Sequence, residues 1–299
     1  MEVSINGQTF NFVSNTINAI KDDKLRNSYF NLTYKVFGLD FIPWYKSGYS
    51  GNNFIPHTLF LDDVAISSVG VAINNFKWHN NSKKYIQIST VATDPDYRQQ
   101  GLSKWLMELV LEELHKKCDC IYLYANDSVI NFYPKFGFIP AHEYRYSMPV
   151  TKRSGDFRKI DLSIKKDVDL LIEKHIESNP FALLAIDKNI GSMMFHCINF
   201  LSDNIYYVEK YDAVVIAEQE NSDIFCYDVY TKNHCDLGDI LGIIASEGIH
   251  TATLGFTPSS ETGYTIEKAI EKDSTFFVLD GKENILADNK VTFPFLSRA

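Results

Sequence analysis

The stretch from Thr93 to Ala125, TDPDYRQQGLSKWLMELVLEELHKKCDCIYLYA, constrains the fold more than any other part of the chain. A β-branched run closes at Asp94-Pro95, and a turn carrying Arg98 and Gly101 follows. Apolar residues then recur at Leu102, Trp105, Leu106, Leu109, Val110 and Leu114, which is helical spacing with Glu and Lys on the other face. CIYLYA (Cys120 to Ala125) returns at once to a buried strand. Strand, helix and strand joined by links this short require a sheet with a helix packed against it.

The flanking sequence extends that sheet. Val64 to Phe76 and Lys84 to Thr93 are β-rich with partial alternation and read as an antiparallel pair, separated by the polar KWHNNSKK. Downstream, NDSVINFYPKFGF reads as a short helix opened by Asn126 or Asp127 and stopped before Pro134 or by Gly137. After Pro149 the polar TKRSGDFRK reads as a linker, and a second series begins. KIDLSI reads as a strand, Lys166 to Glu177, Ile190 to Leu201 and Leu237 to Ser246 as helices, IYYVEKYDAVVIAE as a hairpin, and IFCYDVYT and TATLGF as strands. The two series are of similar size, so the expected organisation is a diverged duplication with domains 1–150 and 151–299, in keeping with 299 residues.

Composition narrows the partners. A net charge of −9 disfavours a nucleic-acid backbone, whose binding rests on clustered Lys and Arg, and leaves room for a cationic amine. The N-terminal MEVSINGQTFNFVSNTINAIK lacks a basic region followed by an apolar run, and no stretch is long enough to cross a bilayer. A soluble, cytoplasmic protein without a membrane partner is expected. Five cysteines, an odd number, argue for free thiols. Cys118 and Cys120 point oppositely once a strand begins, so no metal site is expected.

The turn before the helix exposes backbone N–H groups that lack an intrahelical acceptor, in the positive field of the helix dipole. An anion satisfies both, Gly101 lets it approach, and Arg98 adds a charged donor. Taken alone, such a turn is more often plain punctuation. Neither GxxxxGK[ST] nor GxGxxG occurs, so a phosphate here belongs to another ligand class. Arg98, Gly101 and Ser103 instead occupy the places of the pyrophosphate loop of the GNAT superfamily of acyl-CoA-dependent N-acyltransferases, which this stretch resembles. Asn126, Tyr133, Gly137 and Phe138 match a second GNAT spacing, Asn at a strand end, Tyr seven residues on, then Gly-Phe. The wider GLDFIPWYKSGYSGNNFIPHTLF resembles a bacterial GNAT group.

The resemblance implies an α/β (α+β) fold with a mixed, mostly antiparallel central sheet flanked by helices, here as two GNAT-like domains in tandem. It implies that an amine attacks the thioester of acetyl-CoA. The amides of Gln99, Gln100, Gly101, Leu102 and Ser103, with Arg98, would hold the pyrophosphate, and the strand around Val91 and Thr93 would pair with the pantetheine arm. Tyr133 would protonate the leaving thiolate; from the residues alone, packing of a helix face with Phe132 and Phe136 is the favoured reading. Asn126 would contact pantetheine or cap a helix. Trp44, Tyr45 and Tyr49 would wall an acceptor pocket or anchor their loop by burial. Asp40, Asp62, Asp63 and Glu143 are the candidate bases, and the segment TFPFLSRA is expected to dock as a strand or loop. The second domain lacks Arg-x-x-Gly before its helix, in TKNHCDLGDI, and is expected to be degenerate. The expected partner is a small-molecule or peptide amine, with a homo-oligomer allowed. The alternative is a catalytically silent acyl-CoA-binding sensor or assembly module.

Overall fold

The computed structural model describes residues 1–79 and 81–299. In chain order the first part contains β1 (Glu2–Ile5), β2 (Gln8–Ser14), α1 (Asp23–Phe37), α2 (Ile42–Lys46), β3 (Phe54–Leu61), β4 (Val64–Trp78), β5 (Asn81–Thr93), α3 (Leu102–Leu114), β6 (Cys120–Ala125) and β7 (Phe138–Pro140). There follow β8 (Tyr144–Pro149), β9 (Phe157–Lys159), α4 (Lys165–Glu177), β10 (Leu184–Ile186), α5 (Ile190–Asn199), β11 (Ile205–Val208), β12 (Ala213–Glu220), β13 (Asp223–Tyr230), α6 (Leu237–Ile244), β14 (Thr251–Leu254), β15 (Thr265–Lys268) and β16 (Thr275–Leu279).

Two mostly antiparallel sheets result. The first has the order β1-β2-β3-β4-β5-β6-β16-β7, with β10 also paired to β4; the second has the order β15-β8-β14-β13-β12-β11-β9. The one parallel pair in each is β5 with β6 and β13 with β14, each joined by a crossover helix, α3 or α6. Alternation along β4, its phase shifted by the bulge at Ile66 opposite Leu59 and Phe60, divides its side chains between two layers. Ile66 and Val71 pack with Leu106, Met107 and Val110 of α3, while Ala65 and Ala72 turn to the opposite face, against residues of α1. Asp22 caps α1 by accepting from Lys24 N, and Gly38 ends it at φ 70°.

Several local expectations change. Most of KWHNNSKK is strand, because β4 runs to Trp78 and β5 starts at Asn81; Asn80 lies outside the described residues. In KIDLSI only Lys159 is strand, because the Asp161 carboxylate accepts from Ser163 N and Ser163 Oγ and folds the rest into a turn before α4. The segment opening the supposed linker's far end, Phe157 to Lys159, is β9.

The sheets exchange strands. β8 pairs with β14 and β15 of the second sheet, so the expected boundary at residue 150 falls directly after a strand that already belongs there. β16 returns to the first sheet and lies between β6 and β7, matching Val278 with Tyr122 and with Ile139. Each sheet is thus completed by a strand from the other part of the chain. The final segment adds a further tie. Glu143 accepts from Tyr124 Oη, Thr292 Oγ1 and Phe293 N, and pairs with Arg298 at 3.0 Å. Arg298 also pairs with Glu271 and stacks on Tyr124 at 4.5 Å.

His196, on α5, lies 2.8 Å from Arg298 O through Nε2. Burial pushes its imidazole down to about 4, with the backbone contact opposing. In the unfolded chain the ring takes a proton near its ordinary value, so the unfolded state binds more protons between the two values and stability falls as pH drops through that window. His196→Gln should remove about 2 kcal/mol of the stability lost between pH 7 and pH 5, read as a flatter urea midpoint against pH. An unchanged slope would mean that His196 does not titrate on unfolding.

No helix among the described residues is long and apolar enough to cross a membrane.

Candidate active site

β5 and β6 run side by side only from Tyr85 opposite Cys120 to Ile88 opposite Leu123. Beyond that point β5 stays with β4 and β6 goes with β16, so the strands part and their facing edges are unpaired. A bulge sharpens the divergence: Ala92 faces Ser68 and Ser89 faces Gly70, leaving Thr90 at φ 42° between them. Gly70 is required opposite the bulge, since a Cβ there would overlap Thr90 Oγ1 and sit 3.0 Å from Ser89 O. The bulge leaves Ser89 Oγ buried with no hydrogen-bond partner among the described residues.

The gap is a cleft of about 1070 Å³. Val91, Thr93, Arg98, Gln99, Ser103, Asn126 and Tyr133 all line it. A second cavity of about 580 Å³ adjoins it at the start of α3, sharing Thr93, Arg98, Gln99 and Ser103 and adding Gly101 and Leu102. Arg98, Lys104 and Lys135 face this cavity together with Glu108, which pairs with Lys104 at 3.7 Å, so the lining is net positive; neither lysine stands out in the sequence. Gln100 lines neither; its carbonyl accepts from Asn6 Nδ2 at 2.8 Å, which ties the turn to the β1–β2 connection.

The start of α3 is open. Gln99 and Gly101 take φ of 63° and 78°, and the first helical bond runs from Trp105 N to Gly101 O at 3.0 Å. The N–H groups of Leu102, Ser103 and Lys104 therefore have no intrahelical acceptor, and no side chain caps them. Thr93 Oγ1 lies 2.5 Å from Ser103 Oγ and 2.8 Å from Ser67 Oγ, which fixes the end of β5 against the helix.

Tyr133 opens a 3-10 turn that ends at Gly137, φ 85°. Its ring packs against Phe132, Phe138 and Phe277, the last supplied by β16. The hydroxyl makes no hydrogen bond to any described residue, and burial pushes the phenol up to about 12, so it is protonated at neutral pH. Asn126 does not cap the following turn; its Nδ2 donates to Asp273 Oδ2 at 2.9 Å, and Asp273 Oδ1 accepts from Asp127 N at 2.7 Å. These bonds hold the Asp273 carboxyl below its usual range.

The aromatic segment is a helix rather than an open loop. Trp44 is buried against Phe41, Phe54 and Phe195 with its indole N–H on Gly191 O, and it lines a small cavity. Tyr45 stacks under the Arg26 guanidinium at 4.4 Å, and Tyr49 packs into the core of the second part. Neither tyrosine lines the cleft or the small cavity beside Trp44.

The four candidate bases are also elsewhere. Asp40 accepts from Ile42 N at the start of α2, Asp62 and Asp63 form the β3–β4 turn at φ 48° and 64°, and Glu143 is held by Arg298. None lines the cleft. The segment TFPFLSRA docks as a loop: Ala299 N donates to Gln87 Oε1 and Gln87 Nε2 donates to Ala299 O, both at 3.0 Å, so Arg298 and Ala299 close one end of the cleft.

The second sheet repeats the parting of strands between β13 and β14, and the repeat is filled. Phe295 N donates to Gly255 O at 2.7 Å and its ring packs on Phe225 and Tyr227. At α6 the Asp236 carboxylate accepts from Gly238 N and Asp239 N, occupying the place that an anion would take at α3.

A bulged strand parting from a parallel neighbour, with an open helix start beside it, is matched by the sequence. Residues 23–138 fit the model of the acetyltransferase (GNAT) family. This stretch is similar to GNAT domains. Among solved structures the whole chain resembles a conserved protein of unknown function from Enterococcus faecalis V583 described as a probable N-acyltransferase, at TM-score 0.59 and 13% identity over 90% of this chain and 72% of that one. It also resembles a GCN5-related N-acetyltransferase from Anabaena variabilis ATCC 29413, at 0.54 and 15% over 90% and 72%, and Eis1 from Mycobacterium abscessus, at 0.51 and 11% over 90% and 74%. At such identities the likeness is one of fold, and it extends over 90% of this chain. No curated protein sequence matches the chain.

Proposed function

We propose that the protein is an acetyl-CoA-dependent N-acetyltransferase acting on a primary amine, with residues 1–150 binding acetyl-CoA and residues 151–299 a degenerate GNAT-like unit that shapes the acceptor side. The observation that carries this reading is the convergence on one cleft of Val91, Thr93, Arg98, Gln99, Ser103, Asn126 and a Tyr133 whose hydroxyl has no hydrogen-bond partner among the described residues.

In this reading the free N–H groups at the start of α3, with Arg98, Lys104 and Lys135, receive the pyrophosphate. The unpaired edge of β5 around Val91 and Thr93 pairs with the pantetheine amides, and one N–H there polarises the thioester carbonyl. Asn126, steadied by Asp273, borders the same channel. The amine nitrogen attacks the carbonyl carbon, the C–N bond forms, and the tetrahedral oxyanion collapses with cleavage of the C–S bond. Tyr133 gives its proton to the departing thiolate, and the amine releases one to water. Burial keeps the Tyr133 phenol protonated at neutral pH, so its proton is in place when the C–S bond breaks, and the phenolate then regains a proton from solvent.

The test is calorimetric titration with acetyl-CoA followed by thiol release on adding primary amines. Micromolar binding with amine-dependent release is expected. Binding without release from any amine would favour a silent acyl-CoA-binding module, and no binding by folded protein would overturn the assignment of the cleft.

A further inference from the structure

Asp273 is the one Asp or Glu side chain that lines the cleft among the described residues, and it comes from the far part of the chain. It sits at φ 56° in the connection that leaves β15 of the second sheet and enters β16 of the first. That connection is pinned along its length. Ala269 N donates to Glu143 O at 2.9 Å, Glu271 pairs with Arg298 at 2.9 Å, and a bridge joins Glu271 to Ser274.

By charge alone the position is a poor one. The cleft receives an anionic donor in the reading above, and a carboxylate held ionised at neutral pH repels it. The hydrogen bonds of Asp273 give the carboxylate another purpose. Asn126 Nδ2 donates to Asp273 Oδ2 at 2.9 Å, and Asp127 N donates to Asp273 Oδ1 at 2.7 Å. Both donors lie just past the end of β6, across the gap from the unpaired edge of β5. An ionised carboxylate only accepts, so it dictates which end of the Asn126 amide turns toward it. The amide nitrogen goes to Asp273, and Asn126 Oδ1 is left as an acceptor with no partner among the described residues. Asp273 also takes the first free N–H of the turn Asp127–Val129, which Asn126 does not cap.

We propose that Asp273 is a positioning residue for the acyl donor, holding the Asn126 amide so that Oδ1 accepts a hydrogen bond from an amide N–H of the pantetheine arm. The donor site is then composite, with the second part of the chain completing it. The inference rests on the acetyltransferase reading above and adds to it a share for residues 151–299 in binding acetyl-CoA.

The experiment titrates the full-length protein with acetyl-CoA and with 3′-phospho-ADP, which keeps the phosphates and lacks the pantetheine arm. Asp273→Ala should raise the acetyl-CoA Kd roughly 3-fold to 10-fold, the worth of one neutral hydrogen bond, without weakening 3′-phospho-ADP. Asn126→Ala should show the same split. In the double variant the two losses should merge into one, because each removes the same bond to pantetheine. The Asp273 side chain is exposed, so its loss leaves the core contacts in place, and thermal melts check that the variants are folded. A role through charge alone would tighten both ligands in Asp273→Ala, and that result would overturn the proposal. So would equal weakening of both ligands in folded variants, or losses that add in the double variant, since Asp273 would then act apart from Asn126. Failure of the unaltered protein to bind acetyl-CoA would instead overturn the reading of the cleft, and this proposal with it.

Discussion

Gly101→Glu should abolish acetyl-CoA binding while the protein stays folded. The residue sits at φ 78°, where any side chain is strained, and this costs about 1–2 kcal/mol in an L-residue. Space is not the obstacle, because a Cβ would meet only Asn6 Nδ2, at 3.6 Å. The added carboxylate would instead lie at the open N–H groups of Leu102 to Lys104 and do there what Asp236 does at α6, capping the helix from within. Loss of two charge-assisted bonds to a pyrophosphate amounts to about 3 kcal/mol or more, so Kd should rise at least roughly 100-fold. Gly101→Ala supplies the strain without the charge and should retain most of the affinity. Calorimetry of both variants, with thermal melts alongside, separates the effects. Equal losses in the two would mean that the turn matters for folding only.

Tyr133→Phe should lower kcat by about 10²-fold to 10⁴-fold, the usual worth of a positioned general acid, with the acetyl-CoA Kd unchanged. The substitution removes an oxygen that makes no hydrogen bond and leaves the ring contacts with Phe132, Phe138 and Phe277, so stability should hold. The pH profile adds a second check. With the phenol pushed up to about 12, no loss of kcat below about pH 10 should trace to Tyr133 ionisation. A variant as fast as the parent would reduce Tyr133 to a packing residue.

The features that could be read along the chain are those made by near neighbours. The turn from Arg98 to Ser103 and the spacing from Asn126 to Tyr133 are set by one strand, one turn and one helix, and the residues named from them face the cleft, Gln100 excepted. Features set by distant pairing were not legible. Asp273 reaches Asn126 only because β16 enters the first sheet, and nothing near Thr275 announces that partner. Trp44 lines a cavity because Phe195, far along the chain, closes it, whereas Tyr45 was lost to Arg26 through a contact that alternation and helical spacing do not encode. The helix from Asp23 to Phe37 was missed although its cap Asp22 and stop Gly38 stand in the sequence, because its apolar face is interrupted by Arg26 and Thr33, both buried.

Insertion of β16 between β6 and β7 also sets a timetable for biosynthesis. Both neighbours leave the ribosome long before their shared partner, and from Pro140 until Thr275 has been made the first sheet stands with a slot in it, bordered by two unpaired edges. At ordinary elongation rates that interval lasts on the order of ten seconds. Phe277, which backs the Tyr133 ring, arrives with the missing strand. The nascent chain must therefore keep these edges apart from other chains until β16 has been made, and the Tyr133 ring gains its backing only then.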